Sequence, residues 1–276
     1  MPELPEVQTV VTQLAGRLPG ATIARVLLGR RDIVHSGHRI LTREAVGEKI
    51  ASVGRVGKRI VIQLCGGAEI VVHLGMSGRL TVEPIDETLA PHTHLRVRFV
   101  GRTDELRFRD PRRFGGVWCR GRSDDSNGNG LPHLGPDALA IRVPVLRQVL
   151  SRRRQVKAIL MDQRMISGLG NIYCDEALHK AAIHPLTPAD SLSSRQINRL
   201  ACSIRSTLQA AIKAGGSSLR DYRNANGEPG WFQVSHRVYG REGEACRSCG
   251  AKIIRSQIAG RSTHFCPACQ KEPVTR

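Results

Sequence analysis

Pro2 is the residue with the most chemistry to offer. The chain opens Met1-Pro2-Glu3-Leu4-Pro5-Glu6. Removal of the initiator Met is expected before a small residue, and it leaves Pro2 as a free secondary amine with an acid beside it. An α-amine titrates near ~8, so a useful fraction is neutral and nucleophilic at neutral pH. Amines of this kind form Schiff bases with sugar carbonyl carbons. The plainer reading is that Pro2 and Pro5 punctuate a helix start, with Glu3 and Glu6 complementing its dipole. Taken alone the plainer reading wins; the rest of the chain changes the balance.

Cys246-x₂-Cys249 and Cys266-x₂-Cys269 are separated by 16 residues. Two such knuckles supply four thiolates at a spacing that fits tetrahedral zinc. A four-sulfur site is closed, so one structural Zn²⁺ is expected and no catalysis at the metal. The residues between the knuckles read as a short β-hairpin carrying Lys252, Arg255 and Arg261. Cys65, Cys119, Cys174 and Cys202 are scattered and are expected to be reduced, partly buried small hydrophobes.

The charge balance says what the chemistry is done on. Among 276 residues there are 42 basic and 24 acidic side chains, a net charge of +18. That implies a polyanionic partner, most simply nucleic acid. Aromatic residues are only 4%, too few for stacking platforms, so recognition should rest on phosphate contacts and a few inserted side chains. No apolar run approaches ~18 residues, and the acidic start lacks an apolar leader segment. A soluble protein of the cytoplasm is expected.

The elements that must position these residues follow from periodicity. Val7, Val10, Val11, Leu14 and Leu18 predict a helix over residues 5–18. Residues 21–120 read mostly as strands, including 60–64 and 70–74. Leu95, Val97 and Phe99 alternate with arginines, as do Leu106 and Phe108, which predicts a hairpin with one apolar and one basic face. Ser123–Gly130 has no apolar residue and reads as the linker between domains. Helices are expected over 144–162, with a break near Arg152-Arg153-Arg154, over 171–182, and over 194–214 with a Ser193/Gln196 capping box. Length favours two domains or more.

Four further segments carry candidate contacts. Gly168-Leu169-Gly170-Asn171-Ile172-Tyr173 joins two predicted helices, with Asn171 where an N-cap is expected. Its amides and side chain could equally grip a phosphate, near the basic cluster that includes Arg152 and Lys157. Lys58 precedes a strand in Gly57-Lys58-Arg59. His73-Leu74-Gly75-Met76-Ser77-Gly78 and Asp110-Pro111-Arg112-Arg113-Phe114-Gly115 read as turns presenting Met76 and Phe114, which could wedge into a DNA stack.

Together these motifs, with Val238-Tyr239-Gly240-Arg241 and the four cysteines, closely resemble the bacterial formamidopyrimidine-DNA glycosylase family over nearly the whole chain. The resemblance implies an α+β fold: a β-sandwich flanked by helices (1–122), a linker (123–135), a helix–two-turn–helix domain (136–234) with a lesion-capping loop at 216–232, and a zinc finger (235–276). It implies a monomeric, bifunctional glycosylase and abasic-site lyase that excises 8-oxoguanine and formamidopyrimidines from duplex DNA, with β,δ-elimination. Pro2 would attack C1′ and Glu3 would act as the acid assisting sugar-ring opening. Lys58 would contact phosphate and take part in β-elimination, and Arg261 would grip phosphate and serve δ-elimination. Asn171 would bind the lesion's phosphate. His92, Arg112 and Arg152 fall at family DNA-contact positions, and Met76, Arg112 and Phe114 would fill the gap left by the everted nucleotide. Gln8 departs from the family's common acid. The rivals are an endonuclease VIII-type glycosylase, which prefers oxidised pyrimidines, and a zinc-ribbon DNA-binding protein without catalysis.

Overall fold

The computed structural model describes residues 1–121, 131–219 and 222–273. Its element order is α1 (Leu4–Ala15), β1 (Ile23–Leu28), α2 (His38–Ala45), β2 (Ile50–Val56), β3 (Arg59–Leu64), β4 (Glu69–His73), β5 (Arg79–Pro84), β6 (Thr93–Phe99), β7 (Asp104–Arg109), β8 (Gly116–Arg120), α3 (Val143–Leu150), α4 (Val156–Met161), α5 (Asn171–Lys180), α6 (Ser194–Lys213), β9 (Ile254–Ile258) and β10 (Arg261–Phe265). The polar run 123–130, expected as a linker, lies outside the described residues.

The chain divides into two compact units, residues 1–132 with 214–231, and residues 133–213 with 232–276. In the first, two four-stranded antiparallel sheets, β1-β6-β7-β5 and β2-β3-β4-β8, form a β-sandwich. Branched residues at alternate positions face inward, and Ile23, Ile62, Val72, Leu80, Leu95 and Leu106 line the space between the sheets. Each such side chain contributes roughly 1.5–3 kcal/mol by leaving water. Helix α1 adds its stripe of Val7, Val10, Val11 and Leu14 to the same core. Residues 214–231 pack with this unit although α6, which leads into them, belongs to the other.

The β6–β7 hairpin forms as the alternation predicts, but its basic face is not a solvated surface. Glu105 is fully buried and its carboxylate accepts from Arg96 Nε at 2.6 Å, Arg107 Nε at 2.8 Å and Arg98 Nε at 3.1 Å. Arg107 is itself 2% exposed and donates to Glu83 at 2.8 Å. One carboxylate thus draws together arginines from two strands. Its cross-strand partners are invisible in a linear pattern.

The second unit is helical, with a zinc-finger hairpin at its end. Helices α3 and α4 are separated at Arg152–Arg154, as expected. Ahead of α6 the Ser193 N–H donates to Gln196 Oε1 at 2.9 Å and the Gln196 N–H to Ser193 Oγ at 3.3 Å, the reciprocal cap read from the sequence. Of the scattered cysteines, Cys119 and Cys174 are buried, but Cys65 and Cys202 are exposed. Among the described residues no helix is long and apolar enough to cross a membrane.

Candidate active site and nucleic-acid interface

The start of α1 holds the candidate nucleophile. Pro2 is buried and Glu3 is 3% exposed, whereas Met1 is 55% exposed, so losing Met1 disturbs no core packing. Glu3 is the N-cap and forms a capping box with Glu6: each side chain accepts the other's backbone N–H, Glu3 N to Glu6 Oε2 at 2.8 Å. Pro5 sits in the first turn, where a missing N–H costs nothing. The other Glu6 oxygen accepts the Ser217 N–H at 2.7 Å. Tyr222 donates its hydroxyl to Glu6 O at 3.2 Å, and burial pushes that hydroxyl's pKa up, so it stays a donor. Gln13 Oε1 accepts the Ala225 N–H at 2.7 Å. The segment expected to cap a lesion is therefore seated on one face of α1. Gly216 is required at the contact: its φ is +84°, and a Cβ there would lie 2.8 Å from Glu6 Oε1.

Lys58 occupies the β2–β3 turn and is 6% exposed, not the surface lysine a lone GKR suggests. The turn is tied to α1 by Arg55, which donates to Gln8 Oε1 at 2.9 Å and to Gly57 O at 2.8 Å. An amide at Gln8 suffices as that acceptor, so the departure from an acid leaves the turn anchored. Burial, then the positive charges of Arg59 and Lys58, push the neighbouring His73 imidazole down to about 4. It is neutral at physiological pH, and its Nδ1 accepts the Gly75 N–H at 3.3 Å.

The two candidate wedge turns lie together in the first unit. Met76 is 39% and Phe114 56% exposed, and the Arg112 guanidinium stacks 4.8 Å from the Phe114 ring centroid. His92 is exposed, and its carbonyl accepts the Asp110 N–H at 3.0 Å.

In the second unit, Arg152 is exposed and Arg261 is exposed at the start of β10. Two expectations are corrected here. Gly170, not Asn171, is the N-cap of α5; Asn171 is the first helical residue and its Nδ2 donates to Ser262 O at 2.7 Å. Asn171 Oδ1, the atom that would cap, is buried and accepts no hydrogen bond. Lys157 is fully buried and presents nothing to a phosphate. Its Nζ donates to Asp175 Oδ1 at 2.6 Å, Thr263 Oγ1 at 2.7 Å and Ser262 O at 3.2 Å.

Those bonds reveal residues the sequence reading passed over. Asp175 Oδ2 also accepts the His264 N–H at 2.9 Å. Glu176 accepts the N–H groups of Arg237, Val238 and Tyr239, each at 2.9 Å. His179 Nε2 lies 3.6 Å from Cys246 Sγ. Asn171, Asp175, Glu176 and His179 fall at i, i+4, i+5 and i+8, so one side of α5 docks three segments of the C-terminal module. The available signal was an adjacent acidic pair, Asp175-Glu176, flanked by Ile172, Tyr173, Cys174, Ala177 and Leu178, which burial makes costly unless it is partnered.

The four cysteine Sγ atoms lie within 4.8 Å of one another, with Cys249–Cys266 and Cys249–Cys269 at 3.4 Å and Cys246–Cys269 at 3.9 Å. A tetrahedron with metal–sulfur bonds of ~2.3 Å has edges of about 3.8 Å, so the thiolates fit one Zn²⁺. The N–H groups of Ser248 and Cys269 point at Cys246 and Cys266 sulfurs at 3.4 Å, stabilising thiolate charge.

Three family models match in chain order: the formamidopyrimidine-DNA glycosylase N-terminal domain over residues 1–117, the formamidopyrimidine-DNA glycosylase H2TH domain over 134–223, and the zinc finger found in FPG and IleRS over 243–271. The formamidopyrimidine-DNA glycosylase of Heliobacterium modesticaldum is 43% identical over 278 residues, covering 98% of this chain and 100% of the relative. The crystal structure of the MutM (Fpg) protein from Thermus thermophilus matches with a TM-score of 0.86 and 41% identity, covering 99% of this chain and 100% of that one. Lactococcus lactis Fpg in complex with abasic-site DNA matches with a TM-score of 0.88 and 34% identity, covering 98% and 100%.

Two outcomes follow from the geometry. Lys157→Met strands the Asp175 carboxylate in the interior and should lower unfolding free energy by about 3 kcal/mol, read from urea denaturation. An unchanged midpoint with a flatter salt dependence of DNA binding would make Lys157 a phosphate contact after all. For His73, the unfolded imidazole titrates near ~6.5 and the folded one at about 4. Between those values the unfolded chain holds the extra proton, so stability falls as pH drops, by on the order of 3 kcal/mol in all. His73→Leu should lose visibly less stability than the parent between about pH 7 and about pH 5. Equal losses in both proteins would contradict the assignment.

Proposed function

This chain belongs to the formamidopyrimidine-DNA glycosylase family, and we propose that it removes oxidised purines, 8-oxoguanine and formamidopyrimidines, from duplex DNA and then cleaves the strand at the abasic site. The observation that carries this is the start of α1: a proline buried beside a buried glutamate, the glutamate held by a capping box with Glu6 and the proline preceded by one exposed removable residue.

A duplex hides C1′, so the nucleotide must be extruded at a cost of a few kcal/mol. Met76, Arg112 and Phe114 enter the stack and offset part of that cost. His92, Arg112, Arg152, Asn171, Lys58 and Arg261 hold the backbone. The free amine of Pro2 attacks C1′, the bond to the base breaks, and Glu3 supplies the proton for ring opening. The resulting iminium is permanently cationic and acidifies the adjacent C2′. Loss of that proton expels the 3′ phosphate, with Lys58 assisting; a second elimination, served by Arg261, releases the 5′ side. A primary lysine in place of Pro2 would be mostly protonated at pH 7 unless desolvated. Cys246, Cys249, Cys266 and Cys269 would hold one Zn²⁺, which fixes the hairpin that carries Arg261 and takes no part in bond breaking. The protein acts as a monomer on chromosomal DNA in the cytoplasm.

Excision measured side by side on 8-oxoguanine:cytosine and thymine glycol duplexes tests the reading. The purine lesion should be released faster. Preference for thymine glycol would make this an endonuclease VIII-type enzyme, and release of neither would leave a DNA-binding protein without catalysis.

A further inference from the structure

The His73–Gly78 and Asp110–Gly115 turns are separate in sequence, yet their backbones touch. A Cβ on Gly75 would lie 2.3 Å from Gly115 N and 2.4 Å from Phe114 C. A Cβ on Gly115 would lie 2.5 Å from His73 O. Only glycine on both sides permits that approach.

The contact is fastened by two residues to which no role in the reaction has been given. Asp110 is 0% and Ser77 6% exposed. The Ser77 hydroxyl donates to Asp110 Oδ1 at 2.6 Å, and Ser77 Oγ accepts the Arg112 N–H at 3.2 Å. Asp110 Oδ2 accepts the Gly115 N–H at 2.8 Å. The Asp110 carbonyl pairs with His94 Nε2 at 3.0 Å and the Arg113 N–H at 3.3 Å, and its own N–H donates to His92 O at 3.0 Å. Every polar atom of Asp110 is engaged. Arg113 is held at φ 55°, a conformation that strains a non-glycine residue and persists only when its surroundings impose it.

We propose that Ser77 and Asp110 are positioning residues for lesion extrusion: their shared hydrogen bonds weld the two turns into one piece, so that Met76, Arg112 and Phe114 enter the stack together. The inference rests on the wedge reading of those three side chains. A wedge keeps a base step open only if it does not yield when the bases push back. Three side chains on two independent loops would yield separately. A hydroxyl suits the joint because it donates to a carboxylate and accepts an amide at once. The Ser77–Asp110 bond is short, at 2.6 Å, and buried at both ends.

The test compares two substrates: a duplex holding 8-oxoguanine opposite cytosine, which must be unstacked, and a single strand holding an abasic site, which has no partner strand to part from. Phe114→Ala calibrates the wedge; Ser77→Ala and Asp110→Asn probe the joint, so that one misfolded variant does not decide the matter. Losing a buried hydrogen bond at the joint should slow duplex excision about tenfold more than single-strand cleavage in both joint variants. Adding Ser77→Ala to Phe114→Ala should cost less than the two separate losses combined, because both act on one assembly. Equal slowing on both substrates, or slowing on neither, overturns the proposal, since a merely structural role lowers all activity alike. If Phe114→Ala itself shows no duplex-specific loss, the wedge reading falls and the joint with it. A Phe114→Ala loss without a matching Ser77→Ala loss removes the joint alone.

Discussion

The reciprocal hydrogen bonds between Glu3 and Glu6 are the contact on which the rest of the molecule depends. Chain termini fray unless something ties them down. A nucleophile at a terminus is useful only if its position is fixed to within a fraction of an ångström. The capping box supplies the tie, the buried Leu4 and Val7 supply the packing beneath it, and Pro5 removes a donor that would otherwise need a partner. Glu6 does more than cap. One oxygen holds the Glu3 N–H and the other the Ser217 N–H, so a single carboxylate spans the start of α1 and the 216–232 segment.

The second unit solves a different problem with the same means. A four-thiolate module of some forty residues has little core of its own; its buried cluster is Val238, Cys246, Ile253 and Cys266. Domains this small usually need a metal or an external support. Here α5 provides support in addition to the metal site, through Asn171, Asp175, Glu176 and His179. The Lys157–Asp175 pair sits where a hydrophobic pair would have been cheaper to bury, but it reaches both Ser262 O and Thr263 Oγ1, beside Arg261. Directional bonds fix a hairpin's place in a way that aliphatic contacts do not.

Much of this was legible in the chain itself, and the rest was hidden for definable reasons. The helix of residues 5–18, the β6–β7 hairpin, the split helix at Arg152–Arg154 and the Ser193/Gln196 cap were readable because each is set by local periodicity or local hydrogen bonding. The zinc cysteines were readable because ligand spacing is itself a geometric constraint. The short helix α2 escaped notice inside a stretch that reads as strands, since only Leu41 and Ala45 of it are buried. Lys157 and Asn171 were misplaced because their partners lie at Asp175, Ser262 and Thr263, up to about a hundred residues away. The pairing on the basic face of β6–β7 is hidden for the same reason: Glu105 binds arginines from its own and a neighbouring strand. Charge pairing across a fold leaves no periodic trace, whereas apolar burial does.

The central claim is that the chemistry runs through the Pro2 nitrogen. Borohydride reduction during reaction with an 8-oxoguanine duplex, followed by peptide mapping of the covalent complex, tests it most directly. An iminium at Pro2 reduces to a stable amine, so the adduct should map to Pro2, in protein lacking Met1 only. An adduct on Lys58 or any other lysine, or full trapping by a chain verified to retain Met1, would contradict it.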